Sequence, residues 1–349
     1  MSQDHAATAL RVRAAVSRAT RTDATHARVV RLAGHASMRS YWRVGDYPAS
    51  WVVMVMPPGA GPEEVTQGGR PAVDPFVDVQ RYLASIAVRV PAIRAFEPDE
   101  GLMVLEDLGD ETLETRLLAG GDRAALYATA VDALARLRAA AEAEPRGCIA
   151  FSRAFDEDLY LWELHHFREW LLEAWKGAAL SPAERSEVEV AFRRIAVDLA
   201  AEPGGFTHRD YQSRNLMVLP GGGQAVIDFQ DALMGPRQYD LVALLRDSYV
   251  ELDAPFVEAM LERYLAALAA AGGPSLPSPR FREVFDLLTV QRKLKDAGRF
   301  VYIDRVKKNP GFLVSIPASL RYVKEALGRR PDLARLQEIL ARHVPELAP

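Results

Sequence analysis

The chain has 349 residues, 49% of them hydrophobic and 26% charged, with a formal net charge of −4. That composition excludes wholesale disorder, and the small negative charge excludes a chain built mainly to coat nucleic acid or an anionic membrane. The length suggests about two domains, and no apolar run, residues 51–56 included, approaches the roughly 20 residues of a membrane-spanning helix.

Residues 1–26 carry Ala7, Leu10, Val12 and Val16 roughly on one face, which predicts a helix. Short β-like segments follow at 28–32, 40–44 and 51–56, with Gly45-Asp46-Tyr47-Pro48 as the turn between the second and third. Residues 57–71 are rich in Pro and Gly and read as a loop. Phe76, Val79 and Leu83 then give helical spacing over 74–86, with Asp74 as the N-cap. Two more β-like runs, 90–96 and 102–106, flank a turn at 97–101. Together these make a small antiparallel sheet with a helix against it.

After Asp107 the character shifts to Ala-, Leu- and Arg-rich helices, clearest at 122–143, 155–174 and 182–200, the last with Ser181 as N-cap. One β-rich island interrupts them at 206–229, where 216–219 and 225–229 flank the turn Pro220-Gly221-Gly222-Gly223 and read as a hairpin. From Tyr239 onward helices dominate again. The expected fold class is α+β and bilobal. Residues 1–106 form a β-rich N-lobe and residues 107–349 a larger, mostly helical C-lobe.

The single cysteine, Cys148, cannot close an internal disulfide or build a multi-thiolate metal site, which points to a reducing compartment. No charged, apolar, small-residue leader opens the sequence, and the Arg-rich start reads as compositional bias, so a cytoplasmic location is expected.

The chemistry concentrates in Phe206-Thr207-His208-Arg209-Asp210-Tyr211-Gln212-Ser213-Arg214-Asn215, followed after the hairpin by Val226-Ile227-Asp228-Phe229-Gln230. Phosphoryl transfer from ATP needs a carboxylate to orient the attacking hydroxyl, oxygen ligands for Mg²⁺, and positive charge on the phosphates. A loop Asp, an Asn five residues on and an Asp across a hairpin supply three oxygen-bearing side chains of the kind Mg²⁺ takes alongside water and phosphate. The plain alternative is a set of turns whose Asx side chains cap backbone groups.

These motifs resemble the protein-kinase-like fold, and within it the aminoglycoside/choline phosphotransferase family, over most of the chain in element order. The resemblance implies ATP and Mg²⁺ as cofactors, Asp210 as catalytic base, Asn215 and Asp228 as metal ligands, and His208 as a support for the loop. It implies that the turn Leu32-Ala33-Gly34-His35-Ala36-Ser37-Met38-Arg39 covers the phosphates, Gly34, Ala36 and Ser37 lending backbone N–H groups. It also implies that the backbone of Glu106-Asp107-Leu108-Gly109 meets the adenine.

Two departures from the family pattern matter. The third β-like segment, Trp51-Val52-Val53-Met54-Val55-Met56, lacks the usual lysine, and no lysine precedes Lys176. Arg39, and secondarily Arg43, are the expected replacement cations. Asp228-Phe229-Gln230 stands in place of Asp-Phe-Gly, and a helix starts near Tyr239, with Asp240 as a capping or bracing residue. That leaves no room for a long activation loop and points to a small-molecule acceptor rather than a protein.

Residues 281–310 are net positive, with Arg292, Lys293, Lys295 and Arg299 among their cations, which suits a neutral or anionic acceptor. With Arg214 from the catalytic loop, Arg292, Lys293 and Lys295 are the candidate substrate residues. The segments Ala36–Arg43, Asp74-Pro75-Phe76, Val104–Gly109, His208–Asn215 and Gln291–Lys295 together resemble bacterial anomeric sugar kinases of cell-wall recycling, which phosphorylate N-acetylmuramate and N-acetylglucosamine at C1. The resemblance implies an amino-sugar acceptor, a route toward peptidoglycan precursors, and no nucleic-acid, membrane or obligate protein partner. An amino alcohol kinase, whose aromatic box could come from Trp162, His165, His166, Phe167 and Trp170, and a non-catalytic binding module remain the alternatives.

Overall fold

The computed structural model describes residues 3–32, 39–56, 73–145 and 147–349. The chain divides into two compact units. One runs to Thr112 and includes Met217–Gln230, and the other comprises Leu113–Leu216 and Asp231–Pro349.

In the first unit, helix α1 (Gln3–Thr20) precedes strands β1 (Val29–Arg31), β2 (Ser40–Val44) and β3 (Trp51–Val55). Helix α2 (Pro75–Ser85) follows, then β4 (Ile93–Glu97) and β5 (Leu102–Glu106). The five strands form one antiparallel sheet in the order β1-β2-β3-β5-β4. Strand alternation sorts its two faces. Trp42, Val53 and Val104 lie in one row across the sheet and pack with Val12, Ala15 and Val16 of α1. Tyr41, Met54 and Met103 form the row on the opposite face. Asp74 caps α2 by accepting the N–H groups of Phe76 and Val77. The expected helix over 1–26 ends at Thr20, and the first β-like segment shortens to three residues.

The second unit holds helices α3 (Leu113–Leu118), α4 (Arg123–Ala143), α5 (Glu157–Phe167) and α6 (Pro182–Ala200), with Asp122 and Ser181 capping α4 and α6. Strand β6 (Gly204–Thr207) opens the β-rich island. The hairpin β7 (Leu216–Val218) and β8 (Gln224–Val226) follows, and from Met217 on it belongs with the first unit. Strand β9 (Leu233–Pro236) returns to pair with β6. The remaining helices are α7 (Tyr239–Leu245), α8 (Ala254–Ala270), α9 (Ser278–Lys307), α10 (Ile316–Gly328) and α11 (Ala334–His343). No helix among the described residues is long and apolar enough to cross a membrane.

Two features of this unit escaped the sequence. The β6–β9 pair was not expected, because Gly204-Gly205 and Gly235-Pro236 read as turn residues. The expected helix over 155–174 leaves α geometry at Phe167 and continues as a π-helix over Arg168–Trp175. The widening begins where Gly298 of α9 lies against α5: a Cβ there would sit 2.7 Å from the His166 carbonyl oxygen and the Phe167 Cα. Helix α9 also buries Gln291, Arg292, Lys293 and Asp296, an unusual polar load for a core helix.

Candidate active site

The loop from Thr207 to Asn215 leaves β6 and turns through a short 3₁₀ segment at Ser213–Asn215. Its backbone is strained at Arg209, whose φ is 75°. Asp240, fully buried in the first turn of α7, secures that turn by accepting the N–H groups of His208 (2.8 Å) and Arg209 (3.0 Å). Asp247, just past α7, accepts the N–H and hydroxyl of Ser213 at 2.9 and 2.5 Å. Burial pushes both carboxyls above the ordinary range, and the groups bonded to them offset this only in part. Asp240 thus has the bracing role expected from its place near the helix start. His208 supports the loop too, its Nδ1 accepting the Asp210 N–H at 3.2 Å.

Asp210 presents a carboxylate that is 40% exposed. Arg292, fully buried on α9, donates to its Oδ1 at 3.1 Å and to the Arg209 carbonyl at 2.7 Å, while its guanidinium lies 4.9 Å from the Tyr239 ring centroid. Burial raises the Asp210 pKa, but the charges of Arg292, Lys295 and Arg209 outweigh it and hold the group below the usual carboxylate range. The result is an ionised, partly accessible carboxylate fixed at one oxygen. Asn215 donates its amide nitrogen to the Asp210 carbonyl at 2.9 Å. Only a donor can satisfy a carbonyl, so the amide oxygen is turned the other way and remains available as a hard ligand.

In the first unit Asp228 follows β8 with φ 64°, exposed, and accepts from Gln230 Nε2 at 3.0 Å. Phe229 beside it is buried and packs on Phe76 of α2, ring centroids 4.7 Å apart. Leu108 joins Met217 and Ala225 in a small apolar cluster with Leu219 and Ile227. Glu106 accepts from Arg89 and, at 3.1 Å, from the Ala92 N–H. Met54 is fully buried.

Gly34, Ala36 and Ser37 lie outside the described residues. Arg39, half-buried, stands at the edge of β2. Arg43 departs from its expected role as a phosphate cation. Its guanidinium clasps Asp107 through two bonds of 2.5 and 2.9 Å and reaches Asp110 at 2.7 Å. Ser50 adds a 2.6 Å bond to Asp107. Arg43 therefore ties β2 to the segment after β5.

Three candidate acceptor residues also prove to be internal. Arg214 makes a bidentate pair with Glu114 at 2.7 and 2.9 Å and lies 3.5 Å from the Tyr249 ring centroid, which fixes the loop to α3. Arg292 holds Asp210, as above. Lys293, buried, donates to Asp296 at 2.6 Å. Lys295 is partly open and lies 3.2 Å from Asp296. Reading the sequence alone missed Glu163, which accepts from Gln291 at 2.7 Å and pairs with Arg209 at 3.5 Å, and it missed Asp247. Glu163 sits in an apolar stretch of α5, and a buried acid there is the one signal that could have found it.

A model of the phosphotransferase enzyme family matches residues 28–276. An N-acetylmuramate/N-acetylglucosamine kinase from Pseudomonas aeruginosa is 36% identical over 321 residues, covering 90% of this chain and 88% of that one. Its namesake from Pseudomonas putida is 33% identical over 308 residues, covering 88% and 85%. Among solved structures, a choline kinase from Streptococcus pneumoniae aligns with a TM-score of 0.61 at 15% identity, over 91% of this chain and 98% of that one. The fold is the protein-kinase-like one expected, and with the family match over residues 28–276 the chain belongs to the phosphotransferase enzyme family.

Proposed function

We propose that this protein transfers the γ-phosphoryl group of ATP to the anomeric hydroxyl of N-acetylmuramate and N-acetylglucosamine, yielding the sugar 1-phosphate in the cytoplasm for peptidoglycan recycling. The observation that carries this reading is the identity to two kinases of that name along most of the chain. In this reading Asp210 orients the anomeric hydroxyl and takes its proton as the oxygen attacks the γ-phosphorus and ADP departs. An anomeric hydroxyl is more acidic than an ordinary alcohol, so a carboxylate held ionised by Arg292 suffices as a late acceptor in a loose transition state.

Asn215 and Asp228 would hold Mg²⁺, since each offers the oxygen donor that this hard ion prefers. Bound there, the ion would neutralise charge on the β- and γ-phosphates. Arg39 and the backbone of the preceding turn would supply the remaining positive charge, and the segment after Glu106, with Leu108, would face the adenine. A cationic acceptor fits poorly. The rings of Tyr302 and Trp175 already carry Arg299 and Arg305 at 4.8 and 5.3 Å, and those guanidiniums would repel an ammonium. The test is ADP release measured across sugars, amino alcohols and aminoglycosides, with phosphorus NMR of the product. An acid-labile sugar 1-phosphate supports the reading. A 6-phosphate, or turnover of amino alcohols only, overturns it.

A further inference from the structure

Helix α9 is buried along residues 287–303 except at Lys295, Arg299 and Tyr302. Those positions are spaced i, i+4, i+7 and so share one face. A core helix open on a single stripe, and there carrying two cations and a tyrosine, calls for a reason. Packing alone would fill those positions with aliphatic residues, as it does at Leu294 and Val301.

The stripe continues into rings from the neighbouring helix. Tyr302 lies 5.1 Å from both His166 and Trp170, edge-on to the latter at 81°, and Trp162 stacks on His166 at 5.3 Å. Trp162 is 42% exposed and Trp170 partly so. Gly298 sets this arrangement. Its lack of a Cβ lets α9 approach the α5 backbone at His166 and Phe167, which brings Tyr302 against the rings just where the helix widens into its π segment.

The stripe also starts at the catalytic carboxylate. Arg292, bonded to Asp210, precedes Lys295 by one helical turn, about 4.5 Å of rise, and Arg299 by about 10.5 Å. Behind the stripe a single carboxylate, Asp296, is shared by Arg292, Lys293 and Lys295 at 4.0, 2.6 and 3.2 Å. Arg292 is also held by Asp210, and of the three cations Lys295 is the one open to solvent.

We infer that Lys295, Arg299, Tyr302 and Trp170 form the acceptor subsite for a carboxylate-bearing amino sugar, the two cations taking the carboxylate, Trp170 taking the apolar face of the sugar, and Tyr302, with the Arg299 guanidinium over its ring, positioning that cation. The inference rests on the proposed function. It places the reacting hydroxyl at Asp210 and runs the sugar outward along α9, so that the lactyl carboxylate of N-acetylmuramate meets Lys295 and Arg299. Charge-assisted bonds from a guanidinium and an ammonium select such a group, and ring faces accept the C–H face of a pyranose. N-acetylglucosamine lacks the carboxylate and would use Trp170 alone.

The test is the ratio of kcat/KM for N-acetylmuramate to that for N-acetylglucosamine, in the wild type, Lys295→Gln, Arg299→Gln and Arg299→Glu. The ratio should fall at least tenfold in Arg299→Gln and further in Arg299→Glu, with melting curves confirming the fold. Titration of N-acetylmuramate followed by tryptophan fluorescence gives a second readout independent of turnover, and its dissociation constant should rise by a similar factor in Arg299→Gln. Wild-type turnover of both sugars with an unchanged ratio in every variant overturns the subsite and leaves the proposed function standing. Wild-type turnover of neither sugar overturns both.

Discussion

A carboxylate that is to serve as a base must be ionised, accessible and fixed, and at Asp210 Arg292 fixes one oxygen and is the largest of the charges that favour the ionised form. Its guanidinium is withheld from water and divided between the Asp210 carboxylate and the Arg209 carbonyl. Removing the carboxylate's charge in Asp210→Asn should cut kcat about a hundredfold or more while ATP binding persists. Turnover near the wild-type value would remove Asp210 from the role. Arg292→Met should act differently. Without the largest of the opposing charges the Asp210 pKa rises, so the acid limb of the kcat profile moves to higher pH. Arg292→Lys, which keeps the charge and loses the fork, should recover part of the shift. An acid limb that stays in place in Arg292→Met would show that Arg292 is merely structural. Stability follows the same sign. The folded pKa values of Asp210 and Asp296 are depressed, so their contribution is present above the ordinary carboxylate pKa and is lost as pH falls through the lower folded values.

The elements around the loop matter because they hold a strained backbone. Helix α7 offers Asp240 at one end and Asp247 beyond the other, and both accept loop N–H groups. Asp240→Ala would leave two buried donors unpaired, each costing roughly 1–3 kcal/mol. The melting temperature should drop clearly, and kcat should fall more than KM rises. Gly298→Ala places a methyl group against the α5 backbone, and such overpacking costs about 1–3 kcal/mol. A melting temperature unchanged from wild type would show that the two helices can part there without cost.

The sequence made the capped and periodic elements legible. Asp74 and Ser181 announce α2 and α6 through the N-cap bonds that the structure contains. The spacing of Asp210 and Asn215 marked the loop, and the runs 216–219 and 225–229 about the turn at 220–223 marked the hairpin. What stayed hidden depends on tertiary contact. The partners of Arg43, Arg214 and Arg292 are separated from them by 64, 100 and 82 residues. No local pattern distinguishes an arginine waiting for a phosphate from one already clasped by a distant carboxylate, so in the sequence all three look like ligand residues. The same limit applies to the π segment, which begins where Gly298 of another helix lies against α5.

At the scale of the whole molecule, what the chain binds is read in its stability. Nucleotide and metal binding should stabilise the folded state that binds them by mass action, about 2.7 kcal/mol at a ligand concentration a hundred times the dissociation constant. Asp228→Asn isolates the metal's share. Asn tolerates the left-handed backbone at φ 64°, and its amide oxygen can still accept from Gln230, so the unliganded melting temperature should stay close to wild type. The lost charge falls where the metal would be neutralised. The variant should thus lose the Mg²⁺-dependent part of the thermal shift given by ATP, together with turnover at ordinary Mg²⁺. A variant that keeps the full Mg²⁺-dependent shift and wild-type turnover would take Asp228 out of the metal site, since no backbone distortion would be available to explain the result away.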